Sequence, residues 1–266
     1  MIKTLRDIWV KRAILWHFVS GQLTSSYRTK SLGFVWALLD PLMYMAVYYL
    51  VFGVIISHRK PDFMVHLFIG VIAFRFLNTS MSLSAGILRG QSGLIREIAF
   101  PRATLPVALV VARLFDFVAG WLVAIPLAMV FGVAITPYWL LIPFLIVVQL
   151  LFVIGIAFVV AYIGVYFADI ANILNVVQRL WFYMSPVLYD LALIKQRAVA
   201  SGHPVLYDVY RANPMVGVLG TFEAVAMKGE LPGWHSIAYT AGWGLVMFVV
   251  GLWVFSRAEG HIAKYV

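Results

Sequence analysis

The chain has 266 residues, of which 63% are hydrophobic and 12% charged, with a mean hydropathy of +0.94; an average soluble domain is far less apolar and about twice as charged. This composition excludes an ordinary soluble domain and describes a one-domain integral membrane protein. The lack of cysteine excludes disulfides, thiolate metal sites and cysteine nucleophiles, and the formal charge of +9 fits Lys and Arg kept in cytoplasmic loops, with no need of a nucleic-acid partner.

Residues 1–30 open with an amphipathic pattern. Leu5, Ile8, Trp9, Leu15, Trp16, Val19 and Leu23 share one face, while Lys3, Arg6, Asp7, Lys11 and His17 point away. This is the pattern of a cytoplasmic interfacial helix. Arg12 interrupts the face and Val10 and Ile14 lie opposite it, which leaves a partly ordered basic tail as the alternative. Charges at Lys3, Arg6, Asp7, Lys11 and Arg12 break up any signal-peptide apolar core, so the first span is expected to stay in the mature protein. Six apolar runs follow, at 34–56, 63–88, 103–133, 138–167, 170–189 and 237–255, each long enough for a transmembrane helix of about 20 residues. Pro41, preceded by Asp40, predicts a bend in the first. Between the second and third, residues 89–102 are more polar, and Leu94, Ile95, Ile98 and Ala99 are spaced for a short amphipathic helix stopped by Pro101. Residues 190–234 are too polar to span and too rich in Leu, Val, Tyr and Trp to be a solvated linker. Short re-entrant or interfacial helices are expected there, with apolar faces covered at the outer leaflet.

Six spans put both termini on one side. Lys3, Arg6, Lys11, Arg12, Arg28, Lys30, Arg89, Arg96, Arg102, Arg257 and Lys264 make that side the cytoplasm, whereas Arg59, Lys60, Lys195, Arg197, Arg211 and Lys228 on the other are balanced by acids. No phosphate loop, HExxH or clustered Asp pair occurs, so no catalytic residue, metal site or cofactor is expected in this chain. A membrane protein without a nucleotide site uses an ion gradient, works as an enzyme in the bilayer, or borrows energy from a partner.

Charged groups within spans are costly and face protein or water. Arg75 and Asp116 fall at similar depth on antiparallel neighbours, which predicts a structural ion pair. Asn172, Asn175 and Arg179, with Gln178 and Phe182 alongside, lay a polar stripe along the fifth span, and Tyr44, Tyr48 and Phe52 an aromatic stripe along the first. By themselves such stripes serve packing or lipid contact as readily as binding.

Several motifs together carry a resemblance. Tyr27-Arg28, Ser31-Leu32-Gly33, Trp36, Pro41-Leu42 and Val51-Phe52-Gly53 open the chain; Leu94 to Arg102 with Leu105-Pro106, Asp169-Ile170, Ser185-Pro186-Val187-Leu188-Tyr189 and Asn213-Pro214-Met215 follow in order. The chain resembles the ABC type-2 permeases that export lipid-linked polysaccharides, among them O-antigen, teichoic-acid and capsule exporters. It departs from that pattern at Ala168-Asp169, where relatives often carry Arg-Asp, and at Arg75, where they tend to carry an apolar or aromatic residue.

The resemblance implies a non-enzymatic half-transporter in the bacterial plasma membrane: a homodimer served by two copies of a separate nucleotide-binding subunit, which holds the ATP and Mg. It implies a substrate path lined by Tyr44, Tyr48, Phe52, Asn175, Gln178, Arg179 and Phe182, suited to sugar rings, hydroxyls and phosphates. It also implies an ATPase-coupling segment at Leu94, Ile95, Arg96, Glu97 and Ile98. The competing readings are a secondary transporter, for which no internal repeat is found, and a polyprenyl-lipid membrane enzyme, for which the acids are too scattered.

Overall fold

The computed structural model describes residues 1–28, 32–55, 62–167, 169–203 and 205–265, and within these the side chains of Tyr48, Phe52, Gly53, Ile55, Ala192 and residues 261–265 fall outside the description. Every regular element among the described residues is helical. Two short helices, α1 (Ile2–Val10) and α2 (Arg12–Tyr27), lead into α3 (Val35–Tyr48), which continues as a π-helical turn over Tyr49–Ile55. Then come α4 (Phe63–Gly90), α5 (Ser92–Glu97), α6 (Thr104–Val130), a 3₁₀ turn at Pro137–Leu141, α7 (Ile142–Tyr166) and α8 (Ile170–Tyr183). The chain ends through α9 (Leu191–Ala200), α10 (Val205–Arg211), α11 (Pro214–Glu223), a π turn at Ala224–Lys228 and α12 (Trp234–Tyr265).

Four helical segments among the described residues are long and apolar enough to cross a membrane: Phe63–Gly90, Thr104–Val130, Pro137–Tyr166 and Trp234–Gly260. The two remaining apolar runs behave differently. The first is covered by α3 with its π continuation. The fifth forms a helix of only 14 residues, about 21 Å at 1.5 Å per residue and short of a hydrocarbon core of about 30 Å. It stops early for a local reason: Ser185 Oγ donates to the Trp181 carbonyl at 2.8 Å, and Pro186 has no N–H with which to continue the ladder.

The core is built on α4, buried along nearly its whole length against α6 and α7. A stack of aromatic rings ties its middle together: Phe76 lies parallel to Phe117 at 4.9 Å, and Phe222 of α11 meets Phe117 at 6.3 Å and Trp121 at 4.9 Å. Gln149, buried in mid-helix on α7, donates to the Ala73 carbonyl at 2.8 Å, which gives one end of its amide a partner in an apolar setting. On α6, α7 and α12, Leu122, Val130, Phe144, Val147, Leu245 and Val246 remain exposed, apolar surface of the kind lipid covers.

Close helix approach depends on glycine. A Cβ at Gly155 of α7 would run into the Met247 carbonyl, one at Gly251 of α12 into the carbonyl of Gly155, and one at Gly164 into that of Ala85. These positions let backbones touch, as small residues do between helices in a bilayer.

The N-terminal segment breaks at Lys11 into two helices, where the sequence suggests one. Val19 is buried against Ala108 and Ala112 of α6, with Leu15 and Leu23 beside it, while Trp9 and Trp16 stay exposed. The segment 190–234 also differs from expectation. Met215, Val218, Leu219 and Phe222 of α11 and Val225 beyond it are buried in the main core rather than left for the outer leaflet. α9 and α10 keep Leu193, Val199, Val205, Leu206 and Val209 exposed.

The glycine seam gives a direct expectation. Gly155→Ala should force α7 and α12 apart and destabilise the fold by about 1–3 kcal/mol, read as a lower melting temperature in detergent. Gly86→Ala, where nothing lies within 4 Å, should leave it unchanged.

Candidate functional site

Between α3, α4 and α8 lies an open groove of about 650 Å³. Asp40 and Tyr44 line it from α3, Phe74, Arg75, Asn78 and Thr79 from α4, and Asn175, Gln178, Arg179 and Phe182 from α8. The structure therefore brings together Tyr44, Asn175, Gln178, Arg179 and Phe182 from the expected path; the side chains of Tyr48 and Phe52 lie outside the described residues.

These side chains do different things. Tyr44 is exposed, and the Phe182 ring packs edge-on against Phe74 at 5.3 Å. Arg179 turns its Nε back to the Asn175 carbonyl at 3.2 Å, which leaves the rest of its guanidinium in the groove. Gln178 is buried: it accepts from Ser82 Oγ at 3.1 Å and donates to the Asn78 carbonyl at 3.2 Å, so its amide serves mainly to hold α8 on α4.

Asp40 and Arg75 form the polar centre of the groove, with Arg75 Nη2 2.6 Å from Asp40 Oδ2. Arg75 thus does not pair with Asp116 as their depth suggests. Asp116 is held by Arg113, one turn earlier on α6, at 3.1 Å. The depth is right, since Arg75, Arg113 and Asp116 share a cavity of about 60 Å³, but depth ignores rotation about each helix. On α3 the residue before Pro41, Asp40, faces α4 and takes Arg75, and Arg113 also donates to Ser26 Oγ of α2 at 2.6 Å. Sequence pattern missed Asp40 as a groove residue, although its place beside a mid-span proline was the signal.

The C-terminal end of α8 is fixed by Asn213. Its Oδ1 accepts from Trp181 Nε1 at 2.8 Å and from the Met215 N–H at 3.0 Å; its Nδ2 donates to the Met184 carbonyl at 3.1 Å and to Ser185 Oγ at 3.0 Å. The same side chain caps α11, with Pro214 in the first turn. Tyr210 donates to Tyr189 Oη at 3.3 Å, and Tyr189 to the Tyr183 carbonyl at 2.7 Å. Burial, with this bond second, pushes the Tyr210 phenol above its ordinary range and keeps it a donor.

At the other end, α5 is shorter than the sequence suggests. It stops at Glu97, and Ile98 is extended, because Phe100 precedes Pro101 and cannot continue a helix. Ile95 is 6% exposed and packs into the core, whereas Ile98 is 52% exposed and Arg96 and Glu97 also face outward. Lys11 donates to the Ala99 carbonyl at 3.0 Å, Glu259 of α12 accepts from the Arg102 N–H at 2.8 Å, and the Arg102 guanidinium donates to the Glu259 carbonyl. Two distant parts of the chain, the N-terminal segment and α12, thus hold this corner.

A family model described as ABC-2 type transporter matches residues 14–216, a stretch that includes the groove, α5 and the Asn213 clasp. The chain belongs to the ABC-2 type transporter family. It is 28% identical over 264 residues to the O-antigen export system permease protein RfbA of Myxococcus xanthus, with 99% of each chain covered. It is 22% identical over 239 residues to a protein of the same name from Klebsiella pneumoniae, covering 90% of this chain and 89% of that one. To the polysialic acid transport protein KpsM of Escherichia coli it is 25% identical over 237 residues, with 86% of each covered. As an ABC-2 transporter chain with several apolar helices, this is a multi-pass membrane protein and a transport subunit.

Two expectations come from this geometry. In a double-mutant cycle of Arg75→Met and Asp40→Asn, the pair should be less destabilised than the sum of the singles by about 1 kcal/mol, measured by thermal unfolding in detergent. At the α5 corner, buried Ile95→Asp should destabilise the fold itself by about 2–4 kcal/mol, whereas exposed Ile98→Asp should leave the melting temperature essentially unchanged.

Proposed function

We propose that this chain is the permease subunit of an ATP-driven exporter that carries a lipid-linked polysaccharide from the cytoplasm across the bacterial plasma membrane. The observation that carries this reading is the groove. Aromatic faces at Tyr44 and Phe182 stand beside amide and guanidinium donors at Asn175 and Arg179, a set that stacks on sugar rings and binds hydroxyl and phosphate oxygens. The likeness of the whole chain to permeases named for O-antigen export supports the substrate class.

In this reading two copies of the chain form the conduit. α8 supports that: only Leu174 and Gln178 along it are fully buried, while Ile173, Val176, Val177 and Leu180 stay exposed and available to a second copy. Six crossings, with both termini cytoplasmic, place α5 and the Ile98 corner on the ATPase side and the Asn213 clasp at the exit. α3 with its π turn is the first crossing and α8 with the turn after it the fifth. Two nucleotide-binding subunits supply ATP and Mg, and dock at Arg96, Glu97 and Ile98 in the manner of a short segment set in a groove. α9 and α10, with their exposed apolar side chains, lie along the outer leaflet.

Purified in detergent, the chain alone should hydrolyse no ATP, and hydrolysis should appear with the ATPase encoded beside it. Tyr44→Ala with Arg179→Gln should lower glycan export by about tenfold or more, the loss of roughly 1.4 kcal/mol or more of binding, with membrane insertion and melting temperature unchanged. Surface glycan in cells carrying only that variant is the measurement. Normal export by the double variant would refute the groove as the path, and ATP hydrolysis by the isolated chain would refute the subunit assignment.

A further inference from the structure

The end of the bundle opposite α5 carries a side-chain cluster that plays no part in the groove. His66 in the first turn of α4, Asp190 just before α9 and Glu223 at the end of α11 each place one ligand atom so that the three lie within 4.8 Å of one another. They come from three elements separated by more than 30 residues each. His66 is 6% exposed and the Glu223 side chain 13%, so an anion here is partly withdrawn from water.

We propose that His66, Asp190 and Glu223 form a divalent transition-metal site, of which zinc is the best-suited occupant. An imidazole with two carboxylate oxygens is a zinc-type donor set, unlike the all-oxygen sets that magnesium and calcium take. The spacing agrees. Ligand atoms bound to zinc at 2.0–2.2 Å stand roughly 3.4 Å apart, so the three side chains need close by no more than about 1.4 Å. His66 Nδ1 and Glu223 Oε2 are 3.9 Å apart, too far for a hydrogen bond and close to the separation of two ligands on one ion.

Glu223 already divides its oxygens. Oε1 takes the Lys228 ammonium at 2.9 Å, brought back by the π turn over Ala224–Lys228, while Oε2 faces His66. π-Helical turns are rare and concentrate at functional sites. The Lys228 ammonium therefore offsets the charge of this carboxylate and weakens its hold on a cation at Oε2. Bound zinc joins the start of α4, the chain just beyond the Ser185–Tyr189 turn and the end of α11. It acts as a staple across the elements that follow the groove.

The inference does not depend on what the protein transports. The full chain, purified in detergent and stripped with EDTA, is exposed to Zn²⁺, desalted and assayed for metal by mass spectrometry, with melting curves recorded in parallel. The expected result is about one zinc retained per chain in the unaltered protein, with a melting temperature raised by several degrees. His66→Asn and Glu223→Gln should bind at least tenfold more weakly and lose the zinc-dependent shift. Lys228→Ala should bind more tightly than the unaltered chain, an effect that a purely structural acid cluster would not produce. Equal zinc retention in His66→Asn and the unaltered chain would place the metal elsewhere, at one of the other five histidines, and overturn the proposal. So would no retention at all, or a stability that depends on pH but not on zinc.

Discussion

The amide of Asn213 is the constraint on which the site depends. A neutral carboxamide offers two acceptor and two donor positions, and all four are used here. They join Trp181 and the turn after α8 to the start of α11. α8 is too short to be held by extended packing, and along most of its length it buries only a narrow strip. Its aim is set at this C-terminal end by hydrogen bonds and in its middle by Gln178 on α4. Trp181 transmits the restraint inward, edge-on to Phe74 at 6.3 Å and to Phe152 at 6.4 Å. An aspartate would supply the two acceptors and lose both donors, so the asparagine is chemically specific at this position.

The bundle has two unequal halves. α4, α6, α7 and α12 meet over long interfaces, drawn together by glycines whose neighbours are carbonyl oxygens, and their packing tolerates little sliding. α3 and α8 lie against this block through fewer contacts, with an ion pair and a glutamine as polar ties. The groove runs along the boundary between the rigid half and the loose one. α4 belongs to both: it contributes Arg75 to the groove and leads at its end into α5, so a displacement at the Ile98 corner has a stiff rod along which to travel.

Hydrophobic runs made most helices legible in the sequence. α4, α6 and α7 fall within a few residues of the apolar stretches at 63–88, 103–133 and 138–167, because length and apolar content suffice to specify a long buried helix. The ends were harder to read. α12 continues to Tyr265, ten residues past the last apolar stretch, where Ala258 is buried and Glu259 holds Arg102 in place of further apolar packing. α8 stops at Tyr183 although the apolar run goes on to Tyr189, because Ser185 and Pro186 close it. For the groove, residue type and spacing singled out the faces of α3 and α8 but not the pairing of Asp40 with Arg75, which depends on how each helix is rotated about its axis against the other. The gathering of His66, Asp190 and Glu223 leaves no spacing to recognise. Each of the three sits in a different local context.

The docking of α2 sets an order of events during synthesis. Val19 is covered by Ala108 and Ala112, and Ser26 receives Arg113, some 87 residues further along the chain. At 5–20 residues per second those partners emerge roughly 4–17 s after α2 itself. Through that interval Leu15, Val19 and Leu23 have no protein to cover them, and the surface of the bilayer is the nearest apolar phase. The face that finally packs on α6 thus stays uncovered by its own chain until α6 has been made. A substitution that spared the final packing but weakened the lipid affinity would reveal itself in the yield of newly made protein and leave the stability of the finished molecule unchanged.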